Sequence, residues 1–88
     1  MKITSIKVST LYKKSFRKIP HHIQNKAIQK IRIFEENPFN AQLKTHPLSG
    51  KEKGCWAFWI IYSYRIKFIF ISYDKVLFLD IGTHAIYK

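Results

Sequence analysis

Arg65, Lys67, Asp80 and His84 are the residues of this 88-residue chain whose types and spacing point most directly to chemistry. The first three fall in two strand-like segments, Tyr64 to Ile71 and Val76 to Thr83, joined by the turn-forming run Ser72-Tyr73-Asp74-Lys75, and His84 directly follows the second. A hairpin folded about Tyr73-Asp74 pairs Phe70 with Leu77, Phe68 with Leu79 and Ile66 with Ile81 on one wholly apolar face. The other face then pairs Ile71 with Val76, Ile69 with Phe78, Lys67 with Asp80 and Arg65 with Gly82. A slip of one residue would drive Arg65 and Lys67 into the apolar face, so this register is the expected one. Lys67 and Asp80 would form a cross-strand ion pair worth about 0.2–1 kcal/mol, which makes Asp80 a neutraliser and not a catalyst. Arg65 would face the gap above Gly82, with His84 diagonal to it on the same bare surface.

A guanidinium and an imidazole on one open patch suit phosphoryl chemistry on RNA. Arginine presents a planar fork of donors matched to two phosphate oxygens, and it stabilises the charge of a pentacovalent transition state. Histidine exchanges protons near neutrality. A 2′-hydroxyl that loses its proton can attack the adjacent phosphate in line, leaving a cyclic phosphate and a free 5′-hydroxyl, and protein cations can do the work of a metal. Blander readings stand beside these. Arg65 can be a solvated sheet residue, His84 a surface residue and His46 a plain loop histidine. Trp56, Phe58 and Trp59 can stack bases but are read by default as core. The adjacent His21 and His22 do not make a metal pair at helical spacing, and no metal site is expected.

The charge balance points the same way. Sixteen Lys and Arg against five Asp and Glu give +11, and Met1 to Phe34 holds nine basic residues and no acidic one. Such a surface attracts polyanions: nucleic acid first, then an anionic membrane, then an acidic protein. One cysteine, Cys55, excludes an internal disulfide framework and reads as a small buried filler. The N-terminus lacks the apolar run of a secretory leader, and Ser63, Arg65 and Lys67 interrupt the apolar stretch from Cys55 to Ile71. A cytoplasmic protein with no membrane partner is expected.

The positioning elements follow from periodicity. At 47% apolar and 16% aromatic, the chain is rich enough to build a dense core in a single domain, 1–88. Lys2 to Val8 alternates weakly as a strand. Ser9 or Thr10 can cap a short helix carrying Leu11, Tyr12, Phe16 and Ile19, which Pro20 ends while opening the next. Ile23, Ala27, Ile28, Ile31 and Phe34 place one apolar face on a second helix, which Pro38 stops at Asn37. Phe39 to Gly54 reads as loop with a short strand near Leu43, and the chain from Cys55 onward is strand-like, with a weakly marked turn at Tyr62-Ser63.

Three runs carry a resemblance: Leu48 to Phe58 (LSGKEKGCWAF), Tyr62 to Ile66 (YSYRI) and Leu77 to Tyr87 (LFLDIGTHAIY). With Phe16 to Pro20 and Glu36 to Pro38 upstream, their ordered combination resembles the RelE/ParE toxin superfamily, and its RelE and YafQ branch in particular, over nearly the whole chain. The resemblance implies an α+β fold of order β-α-α-β-β-β, a helical hairpin packed on a mainly antiparallel four-stranded sheet. It implies a ribosome-dependent mRNA endoribonuclease working without metal or small-molecule cofactor, acting on mRNA in the 30S decoding site and covered by a cognate acidic antitoxin. By matched position, Arg65 would hold the scissile phosphate, His84 would be general acid or base, and Tyr87 a second proton-transfer or stacking group. Lys51 and Lys53 would be electrostatic stabilisers, with His46 and Lys67 as further substrate contacts. Relatives often place Asp directly after Gly-Thr-His, where this chain has Ala85. Two other functions are therefore carried: a ParE-like DNA gyrase inhibitor, against which His84 argues, and a catalytically weakened RNA-binding homologue, for which Ala85 argues.

Overall fold

Strand β1 (Ser5–Val8) hands over to helix α1 (Thr10–Lys18) through Ser9. The Ser9 hydroxyl accepts the Tyr12 amide at 3.0 Å, capping the helix, and donates to the Leu79 carbonyl at 2.7 Å, so the cap also pins α1 to the far end of the chain. The computed structural model in which these contacts are seen describes residues 1–87, apart from the side chains of Ala85 and Tyr87.

Pro20 separates α1 from α2 (His21–Glu36), and its carbonyl accepts the amides of Ile23 and Gln24, each at 3.0 Å. Gln24 ties the hairpin by donating its side-chain amide to the Phe16 carbonyl at 2.7 Å. Asn37, held extended ahead of Pro38, ends α2. Ile23, Ala27 and Phe34 are fully buried, but Ile28 is 43% exposed. At about 100° per residue, Ile28 lies about 120° around the helix from the line of those three, beyond the arc that one sheet can cover.

The sheet runs β1-β5-β4-β3-β2, with β3 Trp56–Ile61, β4 Tyr64–Ser72, β5 Lys75–Gly82 and the two-residue β2 His46–Pro47. Among the described residues only β1 and β5 are parallel. There are thus five strands where four were expected. The extra one lies at His46–Pro47, while the segment near Leu43 forms a 3₁₀ turn, η1 (Ala41–Leu43). Two further 3₁₀ turns, η2 (Gly50–Glu52) and η3 (His84–Tyr87), flank the last three strands. No helix is long and apolar enough to cross a membrane among the described residues.

The expected hairpin register holds at its open end, where Arg65 pairs with Gly82, Ile66 with Ile81 and Lys67 with Asp80. Nearer the turn it does not: Phe68 pairs with Phe78 and Phe70 with Val76, because the register shifts after Lys67 and shifts back before Ser72. These irregularities turn Val76 and Phe78, and not Leu77 and Leu79, towards the helices. The gain is aromatic packing. The Phe78 ring lies 5.4 Å from Tyr12, 5.7 Å from Phe34 and 5.8 Å from Phe58, all between sheet and helices.

Burial in this layer pushes the Tyr12 phenol up to about 12. The folded state therefore binds the proton more tightly than the unfolded chain. Its contribution to stability is complete below pH 10, the unfolded value, and is lost as pH rises towards 12, at about 1.4 kcal/mol per unit. Urea midpoints measured from pH 9 to pH 12 should fall across that window, and Tyr12→Phe should remove this component. A Phe variant with the same alkaline decline would show that another group is responsible.

Candidate active site

Cross-strand pairing sets two rows of side chains on the sheet face away from the helices. One row is Trp59, Arg65 and Gly82; its neighbour is His46, Ala57, Lys67 and Asp80. Beyond the exposed His46, the second row is covered. Ala57 is fully buried and Asp80 is 9% exposed. The expected Lys67–Asp80 ion pair is not the one formed, although the two residues are register partners. The Lys67 ammonium instead pairs with the Glu52 carboxylate of η2 at 3.3 Å and donates to the Ile86 carbonyl of η3 at 3.1 Å. Asp80 accepts the neighbouring Ile81 amide at 2.9 Å. Lys67 thereby clamps two peripheral turns to the sheet, and its side chain is largely enclosed.

The gap above Gly82 is occupied too. A Cβ at this position would meet Ile86 Cγ2 at 2.8 Å, so the glycine lets η3 lie down on β5 and does not leave room for a phosphate. Gly82→Ala should lift the turn at an overpacking cost of about 1–3 kcal/mol. The Ile86 amide, which donates to the Thr83 carbonyl at 3.1 Å, would then exchange with solvent faster in proportion. Unchanged exchange at Ile86 would show that the turn is not seated on the glycine.

The open part of the face is a cleft of about 320 Å³ lined, among the described residues, by Lys44, His46, Trp59, Tyr62 and Arg65. Arg65 is half-buried in β4, and its Nε donates to the Ser63 carbonyl at 3.3 Å. The Trp59 indole N–H donates to the Tyr62 carbonyl at 2.7 Å, and the ammonium groups of Lys30 and Lys44 each lie 4.9 Å from the centre of its ring. His46 stands with Nδ1 2.8 Å from the Lys44 carbonyl. A carbonyl only accepts, so Nδ1 carries the proton and Nε2 of the neutral ring is left as the acceptor. Backbone strain helps build the cleft: Lys44 and Tyr62 have φ of 50° and 52°, a left-handed conformation unusual for non-glycine residues.

Of the residues expected from sequence, Arg65 and His46 meet in this cleft. Lys51 and Lys53 are exposed on and just after η2, and Lys51 lines a separate cleft of about 350 Å³ with Leu48, Ser49 and Glu52. Lys67 serves the clamp. His84 is exposed at the first residue of η3 and does not line the cleft around Arg65. The Tyr87 side chain lies outside the described residues. Lys44 and Tyr62 were not expected, and Trp59, weighed as a stacking residue, was read by default as core. Trp59 had a signal, since the fully buried Phe58 and Ile60 on either side place it on the opposite face. Cys55 is half-buried rather than buried, and burial first, then the Glu52 carboxylate beside it, pushes its thiol up. Among the described residues no three of His, Cys, Asp and Glu gather as a metal would need.

No protein-family model matches the chain, and no curated protein sequence does. Solved structures match closely in shape. A YoeB/ParE toxin from Agrobacterium tumefaciens superposes with a TM-score of 0.76 at 18% identity, over 92% of this chain and 99% of that one. The DinJ-YafQ toxin–antitoxin complex of E. coli gives 0.75 at 22% identity, over 98% and 97%. The RelBE2 toxin–antitoxin complex of Mycobacterium tuberculosis gives 0.76 at 14% identity, over 96% and 100%. Two helices on a mixed sheet, with these superpositions along almost the full chain, show that this protein shares the fold of those toxin structures.

Proposed function

We propose that this chain is the toxin of a type II toxin–antitoxin pair: an endoribonuclease that cuts messenger RNA in the 30S decoding site, in the cytoplasm, without a metal or small-molecule cofactor. The observation that carries the reading is the cleft, where Arg65, Lys44 and His46 meet beside an indole on a chain of net charge +11. Arg65 holds the scissile phosphate with its forked donors. Arg65 shares the cleft with His46, and His84 opens the turn that follows β5, whose Gly82 pairs with Arg65. In-line displacement needs a base on one side of phosphorus and an acid on the other. One histidine takes the 2′-hydroxyl proton as the 2′-oxygen bonds to phosphorus. The other gives a proton to the 5′-oxygen as its bond to phosphorus breaks. The products are a 2′,3′-cyclic phosphate and a 5′-hydroxyl. As the resemblance implies, Tyr87 is a second proton-transfer or stacking group, and Lys51 and Lys53 are electrostatic stabilisers. An acidic antitoxin masks the basic surface, as the pairing of the DinJ-YafQ and RelBE2 proteins with antitoxins suggests.

Primer extension on a message under translation tests this. Discrete breaks that require ribosomes, and that disappear in Arg65→Ala and His84→Ala variants, are expected. DNA damage without message breaks would replace the reading with a gyrase inhibitor. Expression without growth arrest or breaks would leave a basic binding homologue, as Ala85 suggested.

A further inference from the structure

We infer that Trp59 is a nucleobase platform that Lys44 covers when RNA is absent, so that base stacking and phosphate binding occur as one exchange. This deepens, and rests on, the reading of the cleft as an RNA site. Three features carry it. The indole is held in place, because its N–H is bonded to the Tyr62 carbonyl at 2.7 Å and its Cα pairs across the strands with Arg65. A base lying on it would therefore sit one strand from the guanidinium that takes the phosphate. The ring carries two ammonium groups at 4.9 Å, although Lys44 is exposed and sits on a turn whose own backbone is strained. The cleft that contains the ring, about 320 Å³, is of the size that ligand pockets begin at.

Relative strengths decide the direction. An ammonium over an exposed aromatic ring is worth about two- to fivefold in an equilibrium. A nucleobase stacked on such a ring is worth about five- to 150-fold. The base therefore displaces the lysine, and the released ammonium gains a phosphate oxygen in place of the ring. Lys44 is a placeholder whose departure is compensated by the anion that arrives with the base.

The test uses the full chain carrying W56F, which leaves Trp59 as its single tryptophan; Trp56 lies away from the cleft, packed on Phe39 and Phe70. The probes are 2′-O-methyl RNA trinucleotides, which cannot be cut because the nucleophile is blocked, and the same backbone with an abasic central residue. Base-bearing probes should quench Trp59 fluorescence and bind at least about tenfold more tightly than the abasic one. Trp59→Ala should abolish that difference while keeping the abasic affinity, and Trp59→Phe should restore most of it. Lys44→Ala should keep base discrimination but lower the slope of log K against log salt by about one. Equal binding of abasic and base-bearing probes, or equal losses for both in Trp59→Ala, would overturn the inference. A chain that discriminates bases yet leaves translated message intact removes the endonuclease reading and keeps this one. Cleavage without discrimination does the reverse.

Discussion

If the chain is the proposed endoribonuclease, Arg65→Ala should lower cleavage of a translated message by about 10²–10³-fold, the usual cost of removing one pre-positioned donor from a charged transition state. The loss should appear in the single-turnover rate more than in RNA affinity, because many lysines would share the electrostatic attraction while the fork at Arg65 would meet charge that grows only as the fifth bond to phosphorus forms. Arg65→Lys keeps the charge but loses the planar fork, so it recovers only part of the rate. Arg65 is half-buried and lies on the cleft side of β4, away from the aromatic core, so the melting temperature moves little. Rates from quantified primer-extension products, set beside RNA binding and thermal melting of the same preparations, check this. A variant that cuts at the parental rate would remove Arg65 from the chemistry. One that merely binds RNA less tightly would make it one more basic contact.

The largest stability effect belongs to Phe34. Its ring stacks on Phe58 at 4.5 Å and meets the edges of Phe68 at 5.0 Å and Phe78 at 5.7 Å, which joins α2 to β3, β4 and β5 at one point. Phe34→Ala removes the centre of that cluster and should cost about 3–5 kcal/mol. A small domain holds only about 5–15 kcal/mol in total, so the variant should be largely unfolded at 37 °C or close to it. The urea midpoint reports the loss. A cost under about 1 kcal/mol would mean that the surrounding rings close over the gap, contrary to the dense interlocking seen here.

Much of the fold was legible because local chemistry and tertiary packing agree. Ser9 caps where a capping residue is expected, Pro20 and Pro38 bracket α2, and the Arg65–Gly82 register follows from the cost of burying two cations. The site was legible only in part. Lys67 and Asp80 face each other as expected, yet the partners that satisfy Lys67 lie 15 and 19 residues away, in turns that no strand pattern can place. Lys44 and Tyr62 shape the cleft through left-handed backbone that sequence usually marks with glycine or asparagine, and here it does not. The irregular pairing at Phe68 and Phe70 came from the hunger of the core for Phe78, a demand set by three rings on other elements.

The placement of β1 beside β5 governs when the molecule can fold. Thr4 bonds to Asp74, and Ser9 to Leu79, each across 70 residues of sequence. On a chain leaving the ribosome, both helices are synthesised long before the strand that receives the first one, and the entropy of closing so large a loop must be overcome before any of these bonds forms. A growing chain that has not yet reached Lys75 lacks the strand that anchors β1 and the cap of α1. Assembly should therefore be late and cooperative, with little structure held in advance by the early segments alone.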